Sequence, residues 1–264
     1  MPGASPDRDS AARGLLLLCD HASNEIPPGY GTLGLSRTDL ARHIAYDIGA
    51  AEVTRLLAAR LGAPAVLSRF SRLFIDPNRG VDDPTLLMKL SDGAVVPGNR
   101  TADATEVARR MSLAYAPYHD AIDAAIDSAG SGKTATHPPT LLSIHSFTPA
   151  WKRAPRPWHI TVLWDDDPRF ARPLLAALQH EADLCVDENE PYSGRLDGDC
   201  MHRHGTKRGL PHALIEIRQD LIANADGQAS WADRLARILE TLWADPDVLT
   251  QLTTPRPVAV VDGC

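Results

Sequence analysis

The sequence predicts an α/β fold, on three observations. Short continuous apolar runs recur at residues 15–19, 140–144, 160–164 and 213–217, the pattern of strands buried on both faces. Longer stretches at 41–61, 105–128 and 231–243 carry apolar stripes at helical spacing. Two of the apolar runs stop at a histidine, His21 and His145, followed by small polar residues. Open α/β sheets bind ligands where strands end at their carboxyl edge, so these two deliveries mark where a site is expected.

Composition narrows the class. The 264 residues are 44% hydrophobic and 23% charged, enough for one large domain or two small ones. No apolar run approaches the ~20 residues of a membrane helix, and the polar N-terminus has no secretory pattern. Cys19, Cys185, Cys200 and Cys264 are scattered, which suits reduced thiols in a cytoplasmic protein. A formal net charge of -7 argues against a nucleic-acid-binding surface.

In chain order, residues 1–13 are expected to be a flexible arm, since Pro, Gly, Ser and charge dominate. The run LLLLC then stops at Asp20-His21, with Glu25 close behind, a candidate metal or acid/base cluster. Ser36 suits the N-cap of a helix with Asp39 in its first turn. Residues 41–61 read as one long helix, which would set His43 and Asp47 on one face, and Gly62 suits its end.

The cluster SRFSRLFIDPNRG at 68–80 gathers Arg69, Arg72, Asn78 and Arg79 around a strand-like Leu73-Phe74-Ile75. Guanidinium forks suit carboxylates because they donate two parallel hydrogen bonds. Residues 82–100 form a long loop, which is a lid, a binding loop or a disordered segment. In the helix at 105–128, Pro117 is expected to kink it or start a new turn, and 128–139 is a flexible connection. The acidic run at 165–167 starts a helix over 170–182. A polar loop then carries Tyr192, and 197–208 is a basic, glycine-rich loop around His202 and His204. Glu216 alternates with apolar neighbours in the last strand, so it faces solvent or is a carboxylate buried for use as a general base beside a metal. Past the helix at 231–243, residues 246–264 read as a loosely held Pro- and Thr-rich tail.

Several segments together resemble the N-formylglutamate amidohydrolase family: DHASNEIP at 20–27, HIAYDIGA at 43–50, SRLFIDPNR at 71–79, SDG and PGN within 91–99, SIHSFTP at 143–149, NEPYSG at 189–194, GLPH at 209–212 and EIRQDLI at 216–222. The resemblance spans about 15–243. The family is distantly similar to zinc carboxypeptidases and aspartoacylases. That implies one phosphorylase/hydrolase-like catalytic domain over 14–245, with a mixed central sheet and helices on both faces.

By the same resemblance, His21 and His145 are ligands of one divalent metal, zinc first. Glu25 and Asp47 compete for the third position: Glu25 stands in H-x3-E where the carboxypeptidase-like pattern is H-x2-E, and Asp47 stands in the WDIGA-like motif. Glu216 resembles the general base, and Arg72 the arginine that holds the oxyanion. Asn78-Arg79 resembles the pair that grips a substrate carboxylate, with Arg218, Tyr192 and Asn99 as further substrate contacts. The implied reaction is removal of a small acyl group, formyl first, from a small-molecule N-acyl amino acid such as N-formyl-L-glutamate, with neither nucleic acid nor membrane as partner. A peptidase or other deacylase on the same scaffold, and a non-catalytic small-molecule binding protein, are the alternatives.

Overall fold

The computed structural model describes residues 14–131 and 138–254. Six strands form the central sheet: β1 (Leu15–Cys19), β2 (Ala65–Leu67), β3 (Thr140–Phe147), β4 (Ile160–Leu163), β5 (Val186–Glu188) and β6 (His212–Arg218). Their order is β2-β1-β3-β6-β4-β5. The first four of that order run parallel, β4 lies antiparallel to β6, and β5 runs parallel to β4. The sheet is therefore mixed, and helices cover both its faces.

Strand alternation divides the core in two. Leu15, Leu17 and Cys19 pack with Val53 and Leu57 of α2 (Ala50–Leu61), Phe170 and Leu174 of α6 (Pro168–Gln179), and Leu235 and Leu239 of α8 (Ala225–Ala244). Leu16 and Leu18 face the other way, onto Tyr118, Ile122 and Ile126 of α5 (Ala116–Ser131) and Met201 of α7 (Cys200–His204). Each fully buried leucine here contributes roughly 1.5–3 kcal/mol relative to an exposed one. Short helices α1 (Arg37–Leu40), α3 (Pro97–Arg100) and α4 (Ala104–Arg110) enclose a third cluster around Leu73, Phe74 and Ile75.

The structure departs from the sequence expectations in several segments. Residues 41–49 are not helical; α2 starts at Ala50 behind Gly49, which has φ +80. A Cβ at Gly49 would sit 2.1 Å from the Ile222 carbonyl oxygen, so glycine is required. Asp47 N–H donates to the His21 carbonyl at 3.0 Å and not to a helical neighbour, which draws Asp47 to the strand ends. Leu73-Phe74-Ile75 are buried but form no strand.

The helix at 105–128 passes Pro117 through a π-helical turn at Met111–Tyr115, as expected where a residue without an N–H interrupts the ladder. Within the loop at 197–208, Asp199 caps α7 by accepting from His202 N at 2.7 Å. The tail expected from 246 onwards begins instead as α9 (Pro246–Thr253), capped by Asp245, with Val248 and Leu252 buried. The arm at 1–13, residues 132–137 of the connection at 128–139 and the tail beyond 254 lie outside the described residues.

Candidate active site

The parity that turns Leu16, Leu18, Leu141 and Leu214 towards α5 also turns Asp20, Ser143, His145 and Glu216 to that face. His145 and Glu216 sit opposite each other in the β3–β6 register. His21 follows β1, Asp47 rises on the turn before α2, and Arg72 and Asp76 come from the chain after β2. These groups line or adjoin a cavity of about 370 Å³ at the carboxyl ends of the parallel strands.

His21, Asp47 and His145 converge, each offering one ligand atom, and the three atoms lie within 4.8 Å of one another. The two imidazoles are arranged alike. His21 Nε2 meets Asp76 Oδ1 at 2.8 Å, and His145 Nε2 meets Asp20 Oδ2 at 2.7 Å. Both Nδ1 atoms then face Asp47 Oδ2, at 3.3 Å from His21 and 2.8 Å from His145. Arg72 Nη1 lies 3.2 Å from His21 Nδ1. A guanidinium only donates, so this nitrogen accepts and the His21 proton is assigned to Nε2. A lone pair on His21 Nδ1 therefore faces a carboxylate oxygen with no proton between them, which is the arrangement a cation resolves. Carboxylates behind both imidazoles are the outer partners that orient metal-binding histidines. The donor set fits a divalent cation.

The outer carboxylates are themselves well held. Asp20 also accepts from Ser143 Oγ at 2.5 Å and from the Tyr118 hydroxyl at 2.9 Å. Asp76 accepts from Arg72 Nη2 at 2.8 Å and from Asn78 N at 2.9 Å. Burial pushes both acids up, but the bond from His145 to Asp20 and the charge of Arg72 beside Asp76 hold them below the usual carboxylate range. Burial likewise opposes ionisation of Asp47, and His21 and His145 more than offset it. In turn, the Asp20 and Asp47 carboxylates hold His145 well above the ordinary imidazole value despite its burial.

Glu216 behaves differently. It is buried, its Oε2 has no hydrogen-bond partner among the described residues, and burial raises it to about 7. A desolvated carboxyl near neutrality, on the cavity wall beside the cation ligands, is suited to moving a proton.

The structure places the remaining expected residues as follows. Arg72, Asn78, Arg79 and Tyr192 line the cavity. Asn78 Oδ1 is fixed by Cys200 N at 3.0 Å, which leaves its NH2 end for a ligand. Glu25 is exposed and does not line the cavity, so of the two competitors only Asp47 stands with the histidines. Arg218 pairs with Asp220 at 2.8 Å, away from the cavity lining. Asn99 is fully buried elsewhere: it donates to the Leu73 and Met88 carbonyls at 2.8 Å and accepts from Arg110 at 2.6 Å, bracing the third cluster. No motif singles out Asp76 for a role of its own, or pairs Asp20 with His145. The one signal for Asp20 was its place beside His21 at a strand end; for Asp76, its position four residues after Arg72.

The N-formylglutamate amidohydrolase family model matches residues 13–223, most of the chain. The chain belongs to that family. It is thus placed among hydrolases acting on an amide bond. Among solved structures, the family member is similar to gene product Atu2144 from Agrobacterium tumefaciens, at 37% identity, with 93% of this chain and 94% of that chain covered and a TM-score of 0.81. It shares its fold with N-formylglutamate amidohydrolase from Ralstonia eutropha JMP134, at 20% identity, 88% and 93% coverage and a TM-score of 0.59. No curated protein sequence matches it.

Proposed function

We propose that this amidohydrolase-family chain is a divalent-cation-dependent enzyme that removes a small acyl group, formyl first, from an N-acyl amino acid such as N-formyl-L-glutamate. The observation that carries this reading is Glu216, a buried carboxyl with an unpartnered oxygen, one strand away from His145 at the cavity wall. His21, Asp47 and His145 would hold the cation, with zinc favoured by two imidazoles and a carboxylate. When bound, such an ion supplies Lewis acidity and acidifies water near it.

The chain's own residues carry the rest of the reaction. Glu216 takes a proton from the attacking water and returns it to the leaving amine. Arg72, anchored on Asp76 and beside His21, balances negative charge growing on the acyl oxygen. Asn78 and Arg79 hold the carboxylate of the amino-acid product, and Tyr192 closes the outer wall. A cavity of about 370 Å³ suits a small molecule. The free thiols of Cys19, Cys185 and Cys200 suit a reducing, cytoplasmic setting.

A broader deacylase is favoured by one feature: a shallow hollow lined by Trp151, Arg156 and Trp158 shares Tyr192 with the cavity and offers room for a larger acyl group. The test is release of the acid from a panel of N-acyl-L-glutamates by cation-loaded protein. Highest kcat/KM on the formyl compound supports the reading, and a preference for long or aromatic acyl groups transfers it to the broader deacylase. No turnover on any member favours a binding protein.

A further inference from the structure

A second cluster of ligand-type side chains lies behind Asp20, outside the catalytic arrangement. α7 carries Cys200 and His204 four residues apart, on one face of the helix, and α5 brings His119 to them. One ligand atom from each lies within 4.8 Å of the other two. All three residues are essentially sealed from solvent, at 0%, 0% and 1% exposure for His119, Cys200 and His204.

One of the two rings, that of His204, is backed by a carboxylate as the imidazoles of the first site are. His204 Nδ1 lies 3.1 Å from Asp123 Oδ1, and Arg208 fixes the same oxygen at 2.7 Å. This leaves His204 Nε2 turned inward, 2.8 Å from His119 Nδ1, with the rings stacked at 5.0 Å. A carboxylate behind an imidazole is the outer partner of a metal-binding histidine. His119 Nε2 is buried without a well-formed hydrogen bond among the described residues, so this ring is only half satisfied as it stands.

We propose that His119, Cys200 and His204 form a second cation site, for zinc or another borderline divalent ion, that fastens α5 to α7 behind the catalytic site. Two imidazole nitrogens and one thiolate are the donor types of structural zinc sites. Binding breaks the Cys200 Sγ–H bond, forms a sulfur–metal bond and releases one proton to solvent. The His119 ring proton moves from Nδ1 to Nε2, beside the Pro77 backbone, with no net loss. The two nitrogens must part from 2.8 Å to about 3.3 Å for tetrahedral ligation, a small side-chain adjustment. Asp20, which hydrogen-bonds the Cys200 thiol, and Asp123 flank the cluster with negative charge. Binding gives up the thiol's hydrogen bond to Asp20, and the charge of the ion would take the place of that proton beside the carboxylate that orients His145.

The experiment is cation analysis and cobalt(II) absorption on the full chain, neither of which needs turnover. The first site contains no sulfur, so a thiolate-to-cobalt charge-transfer band in the near ultraviolet reports the second alone. The proposal expects two cation equivalents and that band in the wild type. Cys200→Ser should lose the band and one equivalent, Cys19→Ser should keep both, and His145→Ala should keep the band while losing the other equivalent. His204→Gln, which retains the thiol, should also lose the band if Cys200→Ser does not fold. One equivalent with no band, or a band that survives Cys200→Ser or His204→Gln, overturns the proposal.

Discussion

His21 and His145 meet Asp47 at the floor of a cavity, whereas His119 and His204 meet Cys200 in closed packing on the other side of Asp20. Both clusters are buried, and each has a carboxylate behind an imidazole. They differ in their neighbours. Beside the first stand Glu216, a buried carboxyl with one oxygen unpartnered among the described residues, and the arginines Arg72 and Arg79 on the cavity wall. Beside the second stand helix-packing residues such as Tyr115 and Tyr118. On the two proposals, paired imidazoles would serve a reaction where space and a proton carrier adjoin them, and would cross-link helices where they do not.

The largest effect is expected at Asp47, which faces both His21 and His145. Asp47→Ala should abolish cation binding at the first site and lower kcat/KM by at least about 10³-fold, because Lewis-acid stabilisation amounts to several kcal/mol. Cation titration with steady-state assays checks it, and any second-site signal should be untouched.

The outer carboxylates sharpen the contrast between clusters. Asp76→Asn should weaken first-site cation affinity by about 10–100-fold, while Asp123→Asn should leave that affinity unchanged. Competition with a chelator measures both. Arg79→Ala removes a charge-assisted grip on a substrate carboxylate, so KM should rise by roughly tenfold or more with kcat nearly kept. Glu25→Gln should change kcat/KM by less than about twofold, since an exposed side chain outside the cavity touches neither cluster.

Part of the first cluster was legible in the sequence, and the second was not. Apolar runs ending at His21 and His145, and the alternation around Glu216, follow from strand period and burial, which local sequence encodes directly. The carboxylates behind the histidines were harder, because they are joined by folding alone: Asp20 is 125 positions from His145, and Asp76 is 55 from His21. The pairing of α5 with α7 is hidden for the same reason, as His119 and His204 are 85 apart.

The misread helix at 41–61 shows where periodicity misleads. Its apolar stripe continues through Gly49, but a close backbone approach by Ile222 forces that glycine to positive φ and frees Asp47 for the site. At the other end, Asp245-Pro246 reads as a stop when taken alone. In the fold it is an N-cap followed by proline at the first helical position. PGN at 97–99 matched the family, and the fold uses Asn99 to satisfy buried Arg110.

The central claim is that Glu216 moves the proton while His21, Asp47 and His145 hold the cation. It is tested most directly by comparing wild type and Glu216→Gln for cation content and for the pH profile of formate release from N-formyl-L-glutamate. Only the ionised carboxylate can accept a proton, so wild-type kcat/KM should rise with pH through an acid limb. That limb should lie at or below about 7, because the charge of a bound cation favours ionisation of Glu216. The account predicts equal cation content in both proteins, with kcat in Glu216→Gln lower by about 10²–10⁴-fold and the acid limb gone. Full cation content with wild-type turnover and an unchanged acid limb in Glu216→Gln would contradict it.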